Sequence, residues 1–557
     1  MTTTSLPIDE SPAERLKRLE DACRAEPFAA KAWRALGGAL AELQQYEPAR
    51  RALHRALTME PTDDACRSLQ GYVLNELGDT RGALAVLSPH APEEPMSFSR
   101  RVRHGLLLPY IYDSGDAQAA WRQRYTAALT ELARAPQQYC PAPADVLSLG
   151  QTNFLLAYQG EDDHALQQTY AGLLAGLIGQ ARPELQADVT GAGQARIRVL
   201  FVSAFLRDCT IGHYFRSWIE DLDPTRFEVL VLDTAGIRDD VADSLAASAS
   251  RHVRDRGDAL RLAAHIRELR PDILIYPEVG MHSRNYLLAN MRLAPVQCAA
   301  WGHPVTTGSS FIDYYFTSAD MEPEAGDSHY AERLLRLPGL GTRYRRPSDV
   351  EAGQSREAFG LSGAERFYIC PQSLFKIHPD NDDLFLDLME ADPEGIVAFF
   401  QEGAPALTNA FAARLARRMA ARGMPPRKQM RFLPRVTPAQ FRAIVGLADV
   451  VLDTLHWSGG NSSLDAFSVG TPVVALPGRF MRGRQTQAML KALGVPELIV
   501  ADRQAYVTTA VGIARDRTMA ADLRRRILAG HGALYDRSEP TAALAEHLQA
   551  VFEAVRR

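Results

Sequence analysis

Apolar residues recur every three or four positions over the first third of the chain, then give way to short unbroken apolar runs near residue 196. The first spacing predicts amphipathic helices, and the second predicts strands buried on both faces of a parallel sheet. RIRVLFVSAF (196–205), FEVLVLDT (227–234), DILIYPEV (272–279), VQCAAW (296–301) and DYYFTSAD (313–320) are the strands expected of one sheet. RFYICPQ (366–372), GIVAFFQ (395–401), MRFLPRV (430–436), ADVVLDT (448–454) and TPVVALP (471–477) are those of a second. Helical stretches such as ALRLAAHIREL and PALTNAFAARLARRMAARG separate the strands, so each set reads as a doubly wound α/β half. Two such halves hold ligands in the cleft between them, at the carboxyl ends of strands.

The helical third contains a period. In WRALGGALAELQQYEPARRALHRALTMEP, residues Trp33, Leu36, Gly37, Leu40, Ala49, Leu53, Ala56 and Pro61 fall on tetratricopeptide spacing. Shifted by 34 residues, Gly71, Leu74, Ala83, Leu87 and Pro95 recur, and Leu19, Ala22 and Pro27 fit an earlier truncated repeat. The small residues let antiparallel helices approach, and each proline ends a repeat. Such an array either offers a concave surface to a peptide or packs as a plain layer on the next domain. The division expected is repeats over 1–95, a helical linker region over 96–190, a first Rossmann-like half over 191–350 and a second over 351–557.

Composition narrows the class. The chain has 557 residues, 46% hydrophobic and 23% charged, which is globular and multidomain. A net charge of −5 gives no reason to expect nucleic acid or an anionic membrane as partner. Six cysteines without a CxxC pair argue against a zinc site or a disulfide framework and fit a reducing compartment. No basic, then apolar leader opens the chain, and no run of about 18 apolar residues occurs. A cytoplasmic location is expected.

One loop is too elaborate for turning a corner. DTLHWSGGNSSLDAFSVGTPVV (453–474) places two glycines, an asparagine and three serines between a strand and a helix. Ser462 and Asp465 fit a capping box, which predicts Ser462 as the helix cap. Capping does not explain Gly459 and Gly460. Glycines, hydroxyls and a helix start together suit a diphosphate, although no Walker GK[ST] follows.

The segment ADVVLDTLHWSGGNSSLDAFSVGTPVVALPGRFMRGRQTQAMLKALGVPELIV resembles the nucleotide-sugar signature of the protein O-GlcNAc transferase and SPINDLY-like family, glycosyltransferase family 41. RLAPVQCAAWGHPVTTGSSFIDYYFTSADMEP, FVSAFLRDCTIGHYFRSWIEDLDPTRFEV and PQSLFKIHP are similar to further blocks of that family, in its order. With the repeats, the resemblance covers nearly the whole chain. It implies a GT-B fold behind an all-α N-terminal region. It also implies inverting, metal-independent transfer of a sugar, GlcNAc or another hexose, from a nucleotide diphosphate, UDP favoured. The acceptor implied is Ser/Thr of a protein docked by the repeats, as in a bacterial-type cytoplasmic enzyme without a cofactor.

Carried over residue by residue, Lys376 matches the family's diphosphate lysine and Ser373 a polar ligand contact. Asn461, Ser462 and Ser463 are implied phosphate donors, beside Gly459 and Gly460, and Asp465 the ribose ligand. Arg484 aligns with an arginine near the diphosphate, while Arg482 reads equally as a surface charge. Pro304, Thr306 and Thr307 match the block near sugar and phosphate, with His303 where an aromatic residue is frequent. Two departures stand out. Cys209 replaces the loop histidine once taken as the base, so His213, Asp208, Glu278 or none of them fills that role. Phe441 replaces a histidine before the LAD stretch, which leaves the choice of uracil over guanine open. Transfer to Asn, a GDP-sugar donor, a silent repeat scaffold and a small-molecule transferase are the alternatives.

Overall fold

The computed structural model describes residues 11–91, 94–193, 195–362, 365–425 and 429–556. The reading of the leader rests largely on residues 1–10, which lie outside the described residues. Two parallel sheets form the body. The first contains β1 (Ile197–Ser203), β2 (Phe227–Asp233), β3 (Arg251–Arg254), β4 (Ile273–Tyr276), β5 (Val296–Ala300), β6 (Tyr314–Ser318) and β7 (Arg333–Leu337), in the order β3-β2-β1-β4-β5-β6-β7. The second contains β8 (Arg366–Cys370), β9 (Gly395–Phe400), β10 (Met430–Leu433), β11 (Val450–Leu452) and β12 (Val473–Val474), in the order β10-β9-β8-β11-β12. Each apolar run of the sequence becomes a strand. In register, Leu200 faces Leu230 on one side and Leu274 on the other, all three buried, as a sheet covered on both faces requires.

Two strands had no such signal. β3 reads RHVR and lies half-exposed at the sheet edge, and β7 reads RLLRL at the opposite edge. An edge strand needs neither two apolar faces nor a long run. Strand order reverses between β1 and β4 in the first sheet and between β8 and β11 in the second. Those are the switch points at which doubly wound sheets open a crevice.

The N-terminal helices Pro12–Ala25, Ala30–Glu42, Tyr46–Met59, Asp64–Glu76 and Thr80–Leu87 pack in sequence. A Cβ on Gly37 would lie 2.5 Å from Leu53 Cγ, and one on Gly71 would lie 2.5 Å from Leu87 Cγ. The same glycine–leucine contact therefore recurs 34 residues on, where only a glycine lets the helices touch.

Residues 96–190 do more than link. Arg482 of the second half, itself buried, donates to the carbonyls of Ala157 (2.9 Å) and Glu161 (2.6 Å) and pairs with Asp163 at 3.2 Å. Arg414 Nη1 donates to Tyr112 O at 3.0 Å, and Tyr286 of the first half donates to Gln167 at 3.1 Å. The helical segment is thus wedged between both halves, and Arg482 is a clamp rather than a surface charge. The final helix, Glu539–Arg556, returns to the first half, where Glu546 pairs with Arg226 at 2.9 Å.

Candidate functional site

Both switch points carry the candidate residues. The loop after β8 makes a short turn, Leu374–Lys376, just past Ser373, whose N–H is turned back on Gln372 (3.2 Å). The turn aims the Lys376 ammonium at three rings, with Nζ 5.2 Å from the Trp457 centroid, 5.6 Å from Phe375 and 5.7 Å from Tyr158. No carboxylate among the described residues forms an ion pair with it. Burial pulls its pKa down to about 8, opposed by the nearby Glu402. A buried ammonium on aromatic faces, with a carboxylate nearby but no ion pair, is chemically suited to an anion.

The loop after β11 runs from Trp457 to the helix Asn461–Ser468. Asp453 ends the strand, buried, and accepts the Gly459 N–H at 2.6 Å; burial pushes its carboxyl up to about 7. The expected cap is different here. Gly460, not Ser462, occupies the N-cap position, and no side chain caps the helix. The helix starts early because the Asn461 side chain is held, donating to Asp465 at 2.9 Å and accepting from Tyr344. Ser463 is buried against Thr486 (2.8 Å), while Ser462 stands in the open first turn. That leaves the first-turn N–H groups without a side-chain cap.

Asp465 is buried beside Arg442 (3.1 Å), and burial still raises its carboxyl to about 6. Phe441, one residue before Arg442, tilts against Phe400 with centroids 5.2 Å apart, so its ring is engaged by the core. Arg484 is half-buried, its Nη1 weakly bound to Gly478 O at 3.4 Å and its Nε without a partner.

The first half presents the helix Thr210–Glu220 to this loop. A Cβ on Gly460 would lie 2.7 Å from Tyr214 Oη and 2.8 Å from Gln485 Oε1, so the halves meet at Gly460. The Tyr214 hydroxyl is buried without a protein partner. One residue earlier, His213 Nε2 binds Asp208 Oδ1 at 2.9 Å, both side chains open to solvent at 37% and 59% exposure. His213 lies near the Asp465 carboxyl. Cys209 precedes the helix with its thiol bound to Phe205 O (3.2 Å), and burial raises its pKa.

Glu278 follows β4 and is buried rather than exposed, with Oε2 lacking a hydrogen-bond partner. It is 1% exposed, accepts from Ala204 N (3.3 Å) and Asn285 (3.2 Å), and burial raises it to about 7. The Thr306 and Thr307 hydroxyls are likewise engaged, both donating to the buried Glu332 (2.6 Å from Thr306). Pro304 beside them is buried as well. His303 is buried and stacks on Phe154 (5.4 Å, 27°), and burial with Arg482 and Lys376 nearby lowers it to about 3, so it is neutral. Its Nε2 has no protein partner.

Sequence reasoning missed Phe154 and Tyr158. They lie more than 200 residues from Lys376 and Trp457, in a stretch legible only as a helical pattern. Tyr344 was also missed, although it touches the helix start directly.

With this geometry in place, relatives become informative. The model of glycosyl transferase family 41 matches residues 344–538. The probable UDP-N-acetylglucosamine–peptide N-acetylglucosaminyltransferase SPINDLY of Solanum lycopersicum is 28% identical over 270 residues, 48% of this chain and 28% of that protein. The UDP-glucose:protein N-beta-glucosyltransferase of Actinobacillus pleuropneumoniae serotype 7 is 24% identical over 272 residues, 47% of this chain and 41% of that protein. These matches span less than half of each relative's length. A mutant O-GlcNAc transferase from Thermobaculum terrenum superposes with a TM-score of 0.69 at 22% identity, covering 98% of this chain and 94% of that one. That likeness shows a shared fold, GT-B, with two Rossmann-like halves behind a helical region.

Proposed function

Starting from a chain whose residues 344–538 match the model of glycosyl transferase family 41, we propose that the protein transfers a sugar from a UDP-sugar to Ser or Thr of a protein acceptor, with inversion and without a metal in the chemical step. The observation that carries this reading is Lys376, a buried ammonium with no ion pair among the described residues, placed on the aromatic faces of Tyr158, Phe375 and Trp457 at the second sheet's switch point.

In this reading the diphosphate lies between Lys376 and the first turn of Asn461–Ser468, where charge and N–H donors stabilise it as it leaves. Gly459 and Gly460 admit it, Ser462 adds a hydroxyl, and Asp465 binds the ribose. Arg484 Nε and the Tyr214 hydroxyl, both buried without partners, are donors for the nucleotide. The acceptor hydroxyl oxygen attacks the anomeric carbon as the bond to the β-phosphate oxygen breaks. Its proton passes to His213, oriented by Asp208 through the 2.9 Å bond, which fits general-base catalysis. Neutral His303 offers Nε2 to the sugar. The N-terminal helices dock the protein acceptor.

Six free cysteines, five of them buried, support a reducing, cytoplasmic setting, and no described helix is long and apolar enough to cross a membrane. Asn as acceptor stays the second reading, because the Actinobacillus relative is named as an N-glucosyltransferase.

A thermal-shift panel of UDP- and GDP-sugars tests the donor. At 100 times Kd, the true donor adds about 2.7 kcal/mol of stability. A melting point raised by UDP-sugars alone is the expected result. Equal shifts by GDP-sugars, or none by either, would remove the reading.

A further inference from the structure

Beside the donor loops lies a cluster that the transfer does not use. His378, two residues beyond Lys376, and His456, next to Trp457, converge on Asp380. His456 Nε2 is 2.8 Å and His378 Nδ1 3.3 Å from the same oxygen, Asp380 Oδ2. The two imidazoles cross at 75° with centroids 4.5 Å apart. One ligand atom from each residue lies within 4.8 Å of the others.

We propose that His378, Asp380 and His456 bind a divalent transition-metal ion of the zinc class. Two imidazoles and one carboxylate are a zinc-type donor set. Around a tetrahedral ion with bonds of about 2.0–2.2 Å, neighbouring ligand atoms stand about 3.3–3.6 Å apart. The observed 2.8 and 3.3 Å separations need only small side-chain shifts to reach that spacing.

His456 adds an independent sign. Its φ is +69°, the left-handed region that non-glycine residues rarely adopt. A glycine would sit there without strain, yet this chain keeps an imidazole whose ring meets His378. The helical wedge backs it, since a Cβ on Gly160 would lie 2.6 Å from His456 Cγ. Without an ion, a histidine–carboxylate hydrogen bond holds His456 to Asp380 and the Asp380 N–H holds the second imidazole. His378 Nδ1 accepts the Asp380 N–H at 3.1 Å, a bond that ligation there replaces. The Asp380 side chain is 55% exposed, which gives an ion a way in and leaves a fourth position to water.

The ion would clip the loop after β8 to the loop after β11. It would take no part in bond making. Its bearing on sugar transfer rests on the donor-site reading above, but binding itself does not.

The test uses tag-free, chelator-stripped full-length protein without nucleotide, titrated with Zn²⁺ in a calorimeter and with Co²⁺ in a spectrometer. One equivalent of Zn²⁺ at micromolar Kd or tighter is expected, with the visible bands of tetrahedral Co²⁺. His456→Gly suits the left-handed backbone and so keeps the fold, and it should weaken binding at least tenfold. His378→Gln should do the same, whereas His54→Ala, an exposed histidine of the N-terminal helices, should bind as the parent does. Parent-like Zn²⁺ binding by His456→Gly and His378→Gln, or no one-to-one binding by the parent, overturns the proposal.

Discussion

Lys376 must stay charged where burial works against it. With its pKa lowered to about 8, the ammonium is intact at pH 7 and lost as pH rises through 8. The sign is that of a cation depressed by desolvation: lowering the pH restores charge, raising it removes charge. Affinity for UDP is therefore expected to be level from pH 6.5 to 7.5 and to fall above 8, while Lys376→Ala binds weakly with no such inflection. Calorimetry across that range reads it directly, and an inflection retained in Lys376→Ala would assign the titration elsewhere. Other candidates were legible by position but not by environment. Glu278 ends a strand as expected, yet lies 1% exposed under Ala204 and Asn285. Thr306 and Thr307 were read toward sugar and phosphate, but Glu332 takes both hydroxyls. A sequence shows which polar groups exist; their partners, here 25 and 26 residues away, are settled by packing.

At the scale of elements, the glycine-rich loop separates binding from folding. A side chain at Gly460 would press on Tyr214 and Gln485 across the junction of the halves. Gly460→Val is expected to weaken UDP binding at least tenfold. Asp465→Asn keeps the shape but removes the buried one of the two carboxylates that pair with Arg442, leaving the exposed Asp349. It should lower both donor affinity and stability, the latter by about 1–3 kcal/mol. UDP calorimetry paired with melting curves checks the two, and parent-like affinity in Gly460→Val would make the loop only a turn. Buried strands were readable because short apolar runs rich in β-branched and aromatic residues, bounded by polar turns, have few other uses. β3 and β7, with arginines at their ends, were hidden because an edge strand tolerates charge. The helix start was misplaced for a local reason: Ser462 and Asp465 match a capping box, but Asn461, held by Tyr344 and Asp465, moves the start to Gly460.

The whole molecule is a cleft with three walls. The two halves were visible in the alternation of strands and helices, and the third wall was not. Residues 96–190 showed only helical periodicity, whereas Phe154 and Tyr158 complete the surroundings of His303 and Lys376. Arg482 locks that wall in place through Ala157, Glu161 and Asp163. Such contacts join positions over 300 residues apart, and no local pattern announces them. The central claim is that this cleft activates a UDP-sugar through Lys376. The most direct measurement is UDP release from a panel of UDP-sugars, by the parent and by Lys376→Ala, each confirmed folded by its melting curve. Release from one UDP-sugar by the parent, reduced by about 10²-fold or more in Lys376→Ala, is the predicted result. No release from any UDP-sugar, or undiminished release by Lys376→Ala, would contradict it.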